Sequence, residues 1–270
     1  MSHRFVVAVV ASAALLTASG AVAQTWNAAG LSNEEFKTQA PGGPAPRRDL
    51  TGVWDAGGAG IGGSGQADER ERARAPFTPL GEELVKPNKP GNGPRSVAVA
   101  EINDPLSTMG DPTGFPRLLT FELRPVQIVH TPNQVLMLYM FEKRWRVIWT
   151  DGRQLPQDPD PRWYGYSVGR WEDDYTFVVE TVGLDDRTWL DNSGNPHSTD
   201  LRVEERYRRV SENTLELTVT IDDPKVYTKP WLARNRIPLK RMPSDADLME
   251  MIPSASEAVA YMKVISSQTK

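Results

Sequence analysis

The sequence predicts a mainly all-β protein, built as an antiparallel barrel or a strongly curved sheet with long wrapping loops and a few short helices. Two patterns favour this class. From Pro125 onward, short runs rich in β-branched and aromatic residues follow one another with turn-like gaps between them. From Pro76 to Pro125, prolines recur too often for long regular elements, so we expect this part of the chain to wrap around the sheet.

The first 48 residues are expected to lie outside the folded domain. Residues 1–23 combine a positive charge at Arg4, an apolar run and a small-residue cleavage site before Gln24, which is the pattern of a signal peptide. The apolar run is shorter than the roughly 20 residues of a membrane-spanning helix, so we expect a periplasmic or secreted protein with no membrane span. Residues 24–48 are polar and rich in Ala, Gly and Pro, which predicts a disordered leader. Residues 49–270 then form a single domain.

The strands are predicted in chain order from their apolar and β-branched runs. Gly52-Val53-Trp54 opens the first strand. The later strands are expected at residues 126–130, 135–141, 145–150, 164–171, 175–182, 201–210 and 215–221. Most of their connections are short, which favours antiparallel neighbours because parallel strands need long crossovers. A helix from Asp245 to Met251 or beyond, with Ser244 as its N-cap, is expected near the C-terminus.

Composition excludes several classes of function. The chain has no cysteine, so thiol nucleophiles, thiolate metal sites and iron–sulfur clusters are excluded. The formal charge of −4 and the dispersed basic residues argue against a nucleic-acid surface. His130 and His197, the histidines that follow the predicted signal peptide, do not have the spacing of metal ligands, so we predict no metal site and no cofactor.

Glu205 and His130 are the first catalytic candidates. Glu205 lies on the apolar face of its predicted strand, where a carboxylate must be paired, protonated or in contact with a wet cavity. A salt bridge to an inward arginine, a functional carboxylate and a slipped register all remain open for it. His130 shares a strand face with Val126 and Ile128. It is therefore either a satisfied core residue or a proton-transfer group near neutral pH.

His197 and Asp191 are the second pair of catalytic candidates. His197 lies in a predicted loop over residues 192–198, and Asp191 directly precedes that loop. In one interpretation the loop is at the mouth of a barrel, where Asp191 orients the imidazole ring, because functional side chains concentrate on loops held by a rigid scaffold. In the other interpretation His197 is an exposed turn residue.

Aromatic and cationic side chains are crowded into the middle of the chain. Trp145, Val147 and Trp149 share one strand face, and Arg144 and Arg146 share the other. Such aromatics either form a large core or line a cavity for a flat or apolar ligand, since both need the same residue types. The predicted ligand-binding residues are Tyr139, Arg146, Trp149, Arg153, Tyr166, Trp171 and Tyr207.

Two resemblances add to this interpretation. Asp151-Gly152-Arg153, which we interpret first as a hairpin turn, is followed by four further strings, at residues 167–174, 188–191, 196–198 and 205–209. Together they resemble a largely uncharacterised family of exported proteins from environmental bacteria, in which glycine usually stands at the position of Asp173. That resemblance implies no catalytic assignment. Gly52-Val53-Trp54 followed by an antiparallel meander is similar to the opening of lipocalin-like (calycin) barrels, which implies a closed barrel with a cavity.

Two functions follow from these residues. The first is an exported, cofactor-independent enzyme that performs acid/base chemistry, as a lyase, isomerase, hydratase or hydrolase, on a small apolar or aromatic molecule. His130 would be its acid or base, and Glu205 or Asp191 would orient that histidine. The alternative is a non-catalytic, lipocalin-like binding protein for a small hydrophobic ligand. Convergence of His130, Glu205 and an arginine in one pocket would favour the enzyme.

Overall fold

Nine strands pair side by side until the last meets the first, which closes a β-barrel in the computed structural model. The structure describes residues 26–60 and 75–268, so the predicted signal peptide lies outside the described residues. The strands are β1 (Gly52–Asp55), β2 (Val126–His130), β3 (Gln134–Tyr139), β4 (Trp145–Trp149), β5 (Tyr166–Trp171), β6 (Thr176–Val182), β7 (Arg202–Ser211), β8 (Thr214–Asp222) and β9 (Trp231–Arg241). The predicted all-β class, with a few short helices, is confirmed.

One pair of neighbouring strands is parallel. Ile148 of β4 pairs with Ser167 of β5, and Trp149 pairs with Val168, whereas the other neighbours in the barrel are antiparallel. The predicted hairpin at Asp151-Gly152-Arg153 was therefore wrong. A parallel neighbour requires a crossover of about a dozen residues or more, and residues 150–165 supply it.

Strand β9 was not among the predicted strands, although it closes the barrel by pairing with both β8 and β1. Its sequence carries three arginines and Pro238, which hide the alternation expected of a strand. Register shifts opposite Leu217 and Val219 and a φ of 50° at Arg236 mark an irregular pairing with β8. Such bulges change the alternation of inward and outward side chains, so a strict period of two does not fit this strand.

Among the residues that the structure describes, five helices accompany the barrel: α1 (Asn33–Thr38), α2 (Pro79–Val85), α3 (Pro105–Met109), α4 (Arg117–Thr120) and α5 (Ala255–Gln268). The C-terminal helix begins later than predicted, at Ala255, and Ser254 rather than Ser244 accepts the hydrogen bond from the backbone N–H of Glu257. The segment predicted as helix is instead extended in part, because Leu248 and Met251 form β-bridges with distant residues.

Residues 26–48 pack against the barrel, although we predicted a disordered leader from residue 24. The backbone N–H of Leu31 donates to Asp55 at 2.7 Å, and the hydroxyl of Ser211 donates to the carbonyl of Pro41 at 2.7 Å. Ser32 is the N-cap of helix α1 and forms a capping box with Glu35. Composition suggested disorder because the segment has few apolar residues, but hydrogen bonds to distant side chains hold its backbone in place.

Helix α4 and Phe115, which precedes it in the chain, are packed into the barrel core. Phe115, Leu118 and Leu119 are fully buried among the inward-facing side chains of the strands. Arg234 of β9 donates from Nε to the carbonyl of Leu119 at 3.0 Å and from Nη2 to the carbonyl of Thr120 at 2.6 Å. These bonds satisfy carbonyls that the end of a helix leaves without a partner, and they tie the helix to the barrel wall.

Candidate functional site

A buried ion pair lies inside the barrel. Arg146 donates from Nη1 and Nη2 to the two carboxylate oxygens of Glu205, at 3.0 and 2.8 Å, and the hydroxyl of Tyr207 donates to the same carboxylate at 2.7 Å. Ser167 and Thr181 lie 3.0 and 3.1 Å from Nη2. Glu205 therefore has the inward arginine partner that was one of the three alternatives left open for it.

The electrostatics of this pair favour the ionised state of the arginine. Burial by itself lowers the pKa of Arg146, but the facing carboxylate of Glu205 and the hydroxyl of Tyr139 outweigh it, and the pKa is raised. Burial raises the pKa of Tyr207 and of Tyr139, and Glu205 raises both further. Both tyrosines therefore stay protonated at neutral pH, and Tyr207 acts as a hydrogen-bond donor to the carboxylate.

An aromatic core would require the tryptophans of β4 to be buried, but the structure buries the opposite face of this strand. Arg146 and Ile148 point into the barrel and are buried, whereas Trp145 is 64% exposed. The phenyl ring of Phe115 covers the buried guanidinium, with 3.7 Å between the ring centroid and the guanidinium carbon of Arg146. An aromatic ring over the cation offsets part of the cost of burying it, so the arginine takes the inward face.

A cleft of about 430 Å³ is lined by residues of β4, of β5 and of the crossover between them, and we call it the β4–β5 cleft. Its lining includes Trp149, Ser167 and Val168, which take part in the parallel pairing of the two strands. Its lining residues are Trp145, Arg146, Val147, Trp149, Arg153, Gln154, Leu155, Pro156, Arg162, Tyr164, Gly165, Tyr166, Ser167 and Val168. Four of the seven predicted ligand-binding residues, namely Arg146, Trp149, Arg153 and Tyr166, therefore line one cleft. Tyr139 and Tyr207 lie behind it, in contact with the Arg146–Glu205 pair.

Two arginines at the cleft stack on its aromatic side chains. The guanidinium carbon of Arg153 is 3.3 Å from the ring centroid of Trp149, and that of Arg162 is 4.1 Å from the ring centroid of Tyr166. Arg153 also forms hydrogen bonds with Asp151, two residues earlier in the chain. Stacking of this kind holds both planar groups in fixed orientations, so the cleft has ordered walls.

Tyr164 is held in the cleft wall by Glu142, a residue that sequence analysis missed. The tyrosine hydroxyl donates to one carboxylate oxygen of Glu142, and the other oxygen accepts from the backbone N–H and the hydroxyl of Thr113, at 2.7 and 2.8 Å. Burial raises the pKa of Tyr164, and the charge of Glu142 raises it further. Glu142 follows β3 in a turn of positive φ, and nothing in its local sequence indicates that it is buried.

A second, larger groove lies on the outer surface, on the other side of residues 152–161. It has a volume of about 1130 Å³ and is lined in part by Arg170, Glu180, Arg202 and Asp222. These outward-facing side chains carry charges of both signs, and Arg170 and Glu180 are already paired at 2.7 Å. We favour the smaller cleft as the candidate site because it alone of the two reaches the buried Arg146.

His130 points into the barrel but does not contact Glu205. Its Nε2 accepts a hydrogen bond from the backbone N–H of Leu50 at 3.1 Å, and its ring stacks on Trp171 with 6.1 Å between centroids. Burial lowers the pKa of His130, and Asp49 opposes this effect. The carboxylate of Glu205 forms hydrogen bonds with Arg146 and Tyr207 instead. The two predicted catalytic residues thus share the inner face of the barrel but belong to separate clusters.

His197 and Asp191 do not interact with each other as we expected. His197 is buried, with Nδ1 donating to the carbonyl of Ser198 at 3.0 Å and Nε2 lying 2.9 Å from the hydroxyl of Thr188. Asp191 instead accepts from the backbone N–H of Ser193 and from the side chain of Asn195. Each side chain forms hydrogen bonds with neighbours in the loop between β6 and β7. His197 is therefore not an exposed turn residue, and Asp191 does not orient its ring.

No protein-family model matches this chain, and neither a curated protein nor a solved structure matches it. The likeness to lipocalin-like barrels is limited to the closed barrel, since lipocalins have eight strands in an up-and-down meander. None of the described helices has the length and apolar character needed to cross a bilayer. Within residues 26–60 and 75–268, no group of three or more His, Asp or Glu side chains is placed to hold a metal ion.

Proposed function

We propose that this protein is an exported binding protein that holds a small, flat or apolar molecule in the β4–β5 cleft without transforming it. The observation that carries the proposal is the lining of the cleft, which combines the aromatic side chains Trp145, Trp149, Tyr164 and Tyr166 with a few polar groups. Ligand sites in proteins are mostly apolar and aromatic with a few placed polar groups, and occupy roughly 300–1,000 Å³. A cleft of about 430 Å³ suits a ligand at the small end of that range.

The hydrogen bonds of the histidines support binding over acid/base catalysis. A general base needs a lone pair within reach of the proton that it removes. The Nε2 lone pair of His130 accepts from the N–H of Leu50, and both ring nitrogens of His197 lie within hydrogen-bond distance of neighbours in its own loop. Neither histidine lines the β4–β5 cleft.

Acid/base catalysis on the same ligand is a second candidate, and one pair of residues favours it. Tyr164 lines the cleft, and its hydroxyl donates to the carboxylate of Glu142. A ligand oxygen that reached this hydroxyl would meet a tyrosine whose raised pKa keeps it protonated, with a carboxylate behind it. Such a pair is able to polarise a carbonyl or to pass on a proton.

Titration calorimetry with 2-naphthamide, a neutral bicyclic probe, tests the proposal. Val147 lines the cleft but not the larger groove and is partly exposed, so Val147→Trp should fill the cleft and abolish binding. Val210 of β7 is 47% exposed outside the cleft, and Val210→Trp serves as the matched control that should bind normally. Thermal unfolding of both variants checks that they are folded.

Three outcomes of this experiment are informative. Loss of binding in Val147→Trp alone supports the cleft as the ligand site. The proposal is overturned if the unmodified protein binds neither 2-naphthamide nor its carboxylate analogue 2-naphthoate, or if both variants bind equally well. Mass spectrometry of the probe after incubation separates the two candidates, because a binding protein returns the probe unchanged and an enzyme does not.

A further inference from the structure

We infer that the ligand of the β4–β5 cleft is an anion, namely a planar molecule that carries a carboxylate or a similar oxyanion. This inference rests on the proposed function and specifies the chemical class of its ligand. It depends on three independent features of the cleft: the balance of charges in its lining, the orientation of its arginines, and an N–H group of Arg146 that lacks a partner.

The lining of the cleft carries an excess of positive charge. It contains three arginines, Arg146, Arg153 and Arg162, and no aspartate or glutamate among the residues that the structure describes there. Glu205 compensates Arg146, and Asp151 compensates Arg153 at 2.7 Å. Arg162 has no carboxylate within salt-bridge distance in the described part of the chain. A cleft with low-dielectric walls and one uncompensated cation attracts anions.

The orientation of Arg162 suits an oxyanion. Its guanidinium lies over the ring of Tyr166, which fixes the plane of the group while its N–H donors remain at the edge. A carboxylate matches this planar fork with two parallel hydrogen bonds. The aromatic plane of a ligand could pack on Trp145, which is 64% exposed beside the cleft, while its carboxylate reaches Arg162.

Arg146, one of the residues that line the cleft, has a buried donor without a partner. The Nε atom of Arg146 is buried and has no hydrogen-bond partner, although both terminal nitrogens of the same guanidinium are fully engaged. Buried N–H groups in proteins are nearly always satisfied. An oxyanion or another acceptor of the ligand that entered deeply enough would supply the missing acceptor.

The test compares 2-naphthoate with 2-naphthamide, which have the same ring system and differ in charge. We expect calorimetry to give an affinity for the carboxylate about tenfold or more above that for the amide, because a hydrogen bond to a charged group is stronger than one to a neutral group. Arg162→Gln should remove most of this preference. Arg187→Gln is the matched control, because Arg187 also stacks on an aromatic ring, that of Trp163 at 4.4 Å, but lies outside the cleft.

The results separate this inference from the proposed function. If neither compound binds, the proposed function fails. If both bind equally well, the cleft is a binding site for neutral molecules and only the inference of an anion is overturned. The inference is also overturned if the preference for 2-naphthoate persists in Arg162→Gln, or if Arg187→Gln weakens it as much. The inference is supported if Arg162→Gln removes the preference for 2-naphthoate and Arg187→Gln does not.

Discussion

Replacing Glu205 by glutamine should lower the free energy of unfolding by about 3–5 kcal/mol. The glutamine keeps the size of the side chain and is still able to accept from Tyr207, but it removes the negative charge that faces Arg146. The guanidinium side chain is only 1% exposed, so water does not replace the lost counter-charge. A typical domain has about 5–15 kcal/mol of stability in total. Urea unfolding followed by tryptophan fluorescence should therefore show a large shift of the midpoint.

Two further variants decide whether burial of the charge causes the loss. Glu216 forms the same two-point contact with Arg236, with both bonds at 3.0 Å, but Arg236 is 64% exposed, so Glu216→Gln should cost less than about 1 kcal/mol. The double variant Arg146→Met/Glu205→Gln removes both buried charges and should be more stable than Glu205→Gln alone. The reasoning is refuted if the two glutamine variants lose the same stability, or if adding Arg146→Met deepens the loss.

Two other predictions concern stability. Lys143 has a φ of 48° in the β3–β4 turn, where glycine is favoured, so Lys143→Gly should raise the free energy of unfolding by about 0.5–1 kcal/mol. A loss of stability in urea would show that the hydrogen bond from Lys143 to the carbonyl of Leu248 outweighs the strain. Burial lowers the pKa of His197 and of His130, so both rings bind protons more readily when unfolded, and stability should fall as the pH drops below the unfolded pKa of about 6.5. Between about pH 7 and pH 5 the fall should be shallower in His130→Gln/His197→Gln, and equal slopes in the two proteins would contradict this prediction.

Most of the barrel was predictable from local patterns. The alternation of apolar and polar residues in residues 126–130 and 201–210 requires strands with one buried face, and short gaps between such runs require antiparallel neighbours. The same alternation placed Glu205 on the buried face, where it is fully buried. Because an unpaired carboxylate is costly there, an arginine partner was among the expected alternatives.

The candidate site was only partly predictable. The predicted ligand set named four residues that line the β4–β5 cleft, because a cavity and a core require the same aromatic residues at these positions. It did not include Arg162 or Tyr164. Glu142 was also missed, since its burial depends on Thr113 and Tyr164, which come from distant parts of the chain. No local pattern reports such contacts.

By itself, the sequence determined the fold class, the positions of most strands and the absence of thiol chemistry, because these depend on residue type and on periods of two along the chain. The tertiary structure decided which face of β4 is buried, since a period of two shows only that Arg146 and Ile148 share a face. It also decided that β4 and β5 run parallel, so that the crossover between them helps to line the cleft. The pairing of Arg146 with Glu205 joins strands far apart in sequence, so only the closed barrel selects that arginine from the others in the chain.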